Sequence, residues 1–311
     1  MTHPLVDCRA RPFPETRSAA LQAPRHGFGG ELVRLSGRLI EASRDDSLFP
    51  FLFKHMALVA RFSSGRYQLF KANIPKLITR YTREYLSKSF NVPDRRKIFL
   101  FHHGFMLEKF DDDFLSRVAE RGVNIWKHVN GDDKYSIRIS MDRSVCGEGD
   151  LVLEFRENGA GIFDMSFTFA PGHVVGSEAA SAMLVARVQG RPNRFDAIRQ
   201  ATKACGDIFP GHVLLAAAEG VAAAVSTRVL CGVSTDRQLS SRWGIARFNY
   251  DGFWGDLLEE RQGDWYSAAV PIPRKPLAEV SIAHRRRTKR KRRFKDSVTG
   301  QVRQSLAQHL R

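Results

Sequence analysis

The sequence predicts an α+β protein in which N-terminal helices pack on a mixed, mainly antiparallel sheet that ends in a strand, helix, strand unit. Three observations predict it. Apolar residues recur at spacings of three and four up to about residue 130, alternate with polar residues after Gly131, and return to helical spacing beyond Gly190. The organisation that follows is a flexible arm over 1–30, a helical region over 31–130, a mixed-sheet core over 131–280 and a basic amphipathic helix over 281–311.

Each element has its own warrant. The first thirty residues are rich in Pro, Gly, Arg and Ser and carry no sustained period. Leu32, Leu35 and Leu39, then Phe51, Phe53, His55, Met56 and Val59, read as helices. A further helix is expected from Pro93 through Phe110, and Asp111 is placed to cap the next, which carries Phe114, Leu115 and Val118. Strands follow at Tyr135, Ile137 and Ile139, at Leu151, Leu153 and Phe155, and at Phe163, Met165, Phe167 and Phe169. The turn signals CGEGD and ENGAG separate them as hairpins. Met183 to Val188 is a fourth strand; helices Phe195 to Ala204 and His212 to Val225 then cross to a strand at Val229 to Val233, which the right-handed crossover rule sets parallel to its partner. Beyond it, Ala246 to Tyr250 reads as a strand, FWGDLLEE as a helix with Asp251 as its cap, and Tyr266 to Val270 as an edge strand. Phe253, Trp254 and Leu257 read as core anchors.

Composition narrows the classes of partner. With 43% hydrophobic residues over 311 positions the chain holds ample core material, and Lys+Arg 49 against Asp+Glu 33 gives +16, which favours polyanionic neighbours. Cys8, Cys146, Cys205 and Cys231 stand far apart without metal-ligand spacing, so free thiols and no metal site are expected. The N-terminus lacks the apolar core of a secretory signal. The most apolar stretch, Val213 to Val225, is too short to span a bilayer and contains Glu219. The expectation is a cytoplasmic protein without a transmembrane segment, peripheral to the inner membrane if its basic tail reaches the lipid.

Several spaced motifs together carry a resemblance: TREYLSKSFNVPDRRKIFLFHHGF, GEGDLVLEF with IFDMSFTF, VQG before AIRQATKACGDIFPGHVLL, then NYDGFWGDL and HRRRTKRKRRFKDSV. Over roughly residues 71 to 300 the chain resembles the VirK/YbjX family of Gram-negative bacteria. The resemblance implies an accessory role in virulence, in display of a surface protein or in resistance of the envelope to antimicrobial peptides, with a client surface protein among the implied partners. It carries no catalytic residues. GDIFPGH stands where a more basic loop is expected of the family.

The order of elements is also similar to the core of the GCN5-related N-acyltransferases. That similarity implies acyl-coenzyme A as cofactor, its pyrophosphate held at a helix start. The residues here would be Gln189, Gly190, Pro210, Gly211, His212 and Val213, with Arg191, Arg194 and Lys203 adding positive charge. Pro210 and Gly211 equally well just begin a helix. Glu148 is the candidate general base in that reading, against a plain turn acid. His103 is a weaker acid-base candidate; beside His102 on a helix, one of the two is expected inside and one at the surface. No Ser-His-Asp order, phosphate-binding loop or H-E-x-x-H motif is present.

The C-terminal tail holds Arg285, Arg286, Arg287, Lys289, Arg290, Lys291, Arg292 and Arg293, then Phe294, Val298, Val302, Leu306 and Leu310 at four-residue spacing. One helix with a basic beginning and a narrow apolar stripe fits both halves. Its charge suits RNA or an anionic membrane surface, and equally a solvated face. Only Phe294 interrupts the basic run, so there is no aromatic platform for bases, and specific DNA reading is not expected.

Overall fold

The computed structural model describes residues 48–71, 77–143, 147–240, 248–255 and 261–311. The arm over 1–30, Leu32, Leu35, Leu39, Cys8, Cys146, Ala246 and Leu257 lie outside the described residues. Helices come first: α1 (Leu48–Phe62), α2 (Gln68–Lys71), α3 (Val92–Lys109) and α4 (Asp112–Glu120). Asn91 caps α3 by accepting the Asp94 N–H at 2.8 Å, and Pro93 fills a first-turn position that needs no donor. Asp111 caps α4 as expected, accepting the Phe114 N–H at 2.6 Å.

The rest is α+β around one sheet. In chain order come β1 (Val123–Asn130), β2 (Asp133–Met141), β3 (Leu151–Glu157), β4 (Ala160–Pro171), β5 (Ser181–Gly190), α5 (Phe195–Ala204), α6 (Pro210–Ala224), β6 (Val229–Val233), α7 (Tyr250–Gly255), β7 (Arg261–Gln262), β8 (Trp265–Ala269) and α8 (Ile282–Ala307). The eight strands lie in the order β1-β2-β3-β4-β5-β6-β8-β7. β1 to β5 form an antiparallel meander, β5 and β6 are parallel as the crossover requires, and β8 and β7 return antiparallel. Asn158 and Gly159, both at positive φ, make the two-residue turn between β3 and β4.

Four expectations change. The sheet begins at Val123, so the boundary expected at 131 falls inside the first hairpin; β1 buries only Ile125 and Trp126, and a bulge between Asn124 and Trp126 breaks the alternation that would have exposed it in sequence. β8 is interior, between β6 and β7. Phe248 and Asn249 form no strand, and Asn249, not Asp251, accepts the Gly252 N–H at 2.8 Å. Asp251 instead accepts the Thr235 N–H.

One face of the sheet is apolar. Tyr135, Ile137, Leu153, Phe155, Phe163 and Met165 are buried there, and α6 crosses it with its apolar residues buried on nearly every side, as its Ala-rich composition allows. α8 then seats on α6 through Val298, Val302 and Leu306, each contributing about 1.5–3 kcal/mol on burial. Gly220 makes the close approach possible, because a Cβ there would run into the Thr299 carbonyl and Val302. Thr299 Oγ1 donates to the Ala216 carbonyl at 2.8 Å, and the Phe294 ring meets Trp126 of β1 edge-on.

Candidate functional site

The register that puts Ile137, Phe155 and Phe163 on the core side sends the alternate positions to the other face. Arg138 pairs with Glu154, Glu154 with Asp164, and Ser166 with Arg187 across β2 to β5. Two buried ionic clusters grow from this polar face, and they differ in how their hydrogen bonds are made.

The first is closed. The Asp150 carboxylate accepts from the Tyr85 hydroxyl and from Thr168 Oγ1 at 2.9 Å, with Arg80 at 3.4 Å. His102 and His103 pack beside it and are both wholly buried, contrary to the expectation that one would reach the surface. His102 Nδ1 accepts the Phe169 N–H at 3.1 Å, and His103 Nδ1 meets the Phe99 carbonyl at 2.8 Å among the rings of Phe62, Phe70 and Phe99. Burial lowers the pKa of both, that of His102 to about 3. His103 is thus a neutral core side chain far from solvent.

The second cluster is loose. Arg187 has Asp142 and Glu148 at 3.9 Å and Asp164 at 4.0 Å, beyond ordinary hydrogen-bond reach. Burial penalises its charge, and Asp142, Asp164 and Glu148 outweigh that penalty. Its Nε and the Ser166 hydroxyl, both buried, have no hydrogen-bond partner among the described residues. Glu148 accepts from Gln238 Nε2, and burial raises its pKa against the pull of Arg187. Burial likewise raises Asp164, which Arg191 binds through Nε at 3.0 Å and Nη2 at 3.0 Å. Glu148 therefore sits in a charged pocket and not on a solvated turn. Sequence reading missed Arg187, Asp142, Asp164 and Gln238. The available signal was a run of charged residues on the polar phase of otherwise apolar strands.

This cluster adjoins a gap in the sheet. A bulge at Ala186 shifts the β4–β5 register, and the parallel pairing with β6 stops at Val185 and Gly232. Past that point the Val188 N–H donates to the Tyr250 hydroxyl at 3.3 Å, and Trp254 Nε1 donates to the Val233 carbonyl at 3.0 Å. Helix α7 thus occupies the gap with Tyr250, Phe253 and Trp254, the last against Gly232.

The residues expected to hold a coenzyme A pyrophosphate are not gathered around a free space. Pro210, Gly211 and Val213 are buried, and the rings of Phe209 and Phe253 fill the side of Gly211 where a phosphate would approach. The His212 and Val213 N–H groups already donate to the Phe209 carbonyl at 2.8 and 3.2 Å, and the His212 ring stacks on Phe253. Gln189 is exposed, Gly190 faces Ile198 and Phe163, and Arg194 and Lys203 lie exposed on α5. The start of α6 as folded does not fit the group.

The basic residues gather on the first half of α8. That half is exposed nearly all round, and its first turn contains no acid. The Asp207 carboxylate draws Arg287 and Arg290 and its backbone carbonyl accepts from Lys291, while Arg285 and Arg292 donate to backbone carbonyls of the preceding segment. Arg286, Lys289 and Arg293 make no ion pair among the described residues. At about 100° per residue these three and Ile282, which is 80% exposed, fall within roughly 60° of one another, on the side away from Val298 and Val302.

Cys205 and Cys231 are free and buried, and burial pushes both thiols up to about 12. Among the described residues no group of His, Cys, Asp and Glu could hold a metal ion, and no helix is long and apolar enough to cross a membrane.

A family model described as protein of unknown function (DUF535) matches residues 52–304, and the chain belongs to that family, the VirK/YbjX group that its motifs resemble. Within it, the chain is 24% identical over 243 residues, 73% of its length and 71% of the relative's, to the uncharacterized protein YbjX of Escherichia coli strain K12. No solved structure matches.

Proposed function

We propose that this chain is an accessory protein that docks on an anionic membrane surface through the first half of α8. One observation carries the reading: Arg286, Lys289 and Arg293 form a stripe, without an ion pair among the described residues, beside the exposed Ile282. Eight of the nine residues 285–293 are Lys or Arg, starting at the end of the first turn, and they repel one another along the helix. A fold that wanted only a helix here would gain nothing from that placement. From Ile282 to Arg293 the stripe spans about 16 Å, and its narrow arc suits a plane of headgroups more than a groove that surrounds the helix. An apolar side chain at its end suits lipid, and the lack of aromatic rings tells against stacked bases. The docked protein would lie at the cytoplasmic face of the inner membrane, giving the envelope and virulence roles implied by the resemblance, and a client surface protein, a physical place to act.

Flotation with vesicles tests this. The full chain should bind vesicles containing about a third phosphatidylglycerol, release them as salt rises, and ignore neutral phosphatidylcholine vesicles. Tighter binding to duplex or single-stranded RNA, with no vesicle binding at low salt, would replace the membrane by nucleic acid.

The strand order and the bulge at Ala186 favour a second reading, an acyl-transfer scaffold with Glu148 as base. Acyl-coenzyme A needs both the Phe209 and the Phe253 rings to leave Gly211. The check is calorimetric: the double variant Phe209→Ala, Phe253→Ala should admit acyl-coenzyme A if the scaffold retains that site, and no heat with either form would end the reading.

A further inference from the structure

The polar face holds a second feature, independent of α8. Near the open edge of the sheet a groove of about 370 Å³ is lined by Arg121, Asn124, Ser136, Arg138 and Arg156, and no carboxylate lines it. Glu154 is buried and is shared by three guanidinium groups, two of them from the lining. Arg138 donates to its Oε2 through Nη2 at 2.6 Å, Arg156 donates to the same oxygen at 3.2 Å, and Arg191 meets Oε1 at 3.1 Å. Two oxygens therefore serve three arginines, and Arg121 at the rim adds a fourth cation. Asp164 relieves Arg191 alone. Arg156 is held below its ordinary pKa by burial and by the nearby Arg138.

We infer that this groove is a binding site for the phosphate or diphosphate group of a small molecule. Guanidinium forks match oxyanions in geometry, and a second anion in front of Arg138 and Arg156 would supply the charge that Glu154 cannot. Ser136 and Asn124 add neutral donors on the same side of β1 and β2. The volume lies in the range of small-ligand sites and is far too small for a duplex.

Pyrophosphate, titrated calorimetrically into the full chain against chloride at equal ionic strength, is the probe. Arg156→Gln and Arg138→Gln should each weaken binding tenfold or more. Ser136→Glu, which leaves every arginine in place and adds an acid to the groove, should abolish it. The triple variant Arg286→Gln, Lys289→Gln, Arg293→Gln should leave the affinity within twofold, which separates this site from α8. In the unaltered chain, Nε–Hε resonances of Arg138 and Arg156 should move on titration. Unmoved resonances, or loss of binding in the α8 triple variant with the groove variants unaffected, would overturn the inference.

Discussion

The two halves of α8 obey different rules. From Phe294 onward the helix reads as a packing element, with Val298, Val302 and Leu306 buried on α6 and its acid Asp296 paired to Arg274 at 2.6 Å. Before Phe294 the helix is exposed, carries eight cations, and has Asp207 as its main acidic neighbour. Folding explains the second half without remainder. It does not explain the first, and charge that the fold neither neutralises nor buries is the better guide to a partner than charge that it does.

The contrast can be broken from either end. The largest effect is expected from Val302→Asp, which buries an unpaired carboxylate against α6: a loss of about 4 kcal/mol or more in urea unfolding. Next comes acid. Because burial lowers the His102 pKa to about 3, the native state binds fewer protons than the unfolded chain below pH 6.5. The contribution of His102 to stability, read as the difference between the chain and His102→Gln, should therefore fall as pH drops from about 6.5 toward 3, by up to about 1.4 kcal/mol per pH unit, and be flat above it, whereas vesicle binding by arginine and lysine should not change between pH 8 and 6. Gly220→Ala should cost about 1–3 kcal/mol despite the better helix propensity of alanine, since its methyl meets the Thr299 carbonyl. Arg286→Gln, Lys289→Gln and Arg293→Gln together should leave stability unchanged or slightly raised, because they remove like-charge repulsion from an exposed helix face.

How far the sequence could be read follows the same division. Period and turn chemistry located β2 to β6, the parallel crossover, the Asp111 cap and the apolar stripe of α8, because each is a local consequence of backbone geometry. β1 was hidden by its bulge and its largely exposed pattern, and the cap at Asn249 by an equally plausible Asp251 two residues on. Glu148 stands out in the sequence, but the groups gathered around it, Arg187 with its second carboxylate Asp142 and Gln238, meet only through strand register and a loop. His103 looked chemically available in sequence and is closed in by phenylalanines. The expected pyrophosphate cradle is filled from two sides, by Phe209 two residues before Gly211 and by Phe253 some forty residues downstream, and no local pattern could place the second there.

The most direct measurement compares the intact chain with the triple variant at positions 286, 289 and 293 for partition onto phosphatidylglycerol vesicles at low salt. At about 1 kcal/mol per basic residue near the surface, affinity should drop on the order of a hundredfold while the urea midpoint holds. Equal partition of the two proteins, with both folded, would contradict docking through α8.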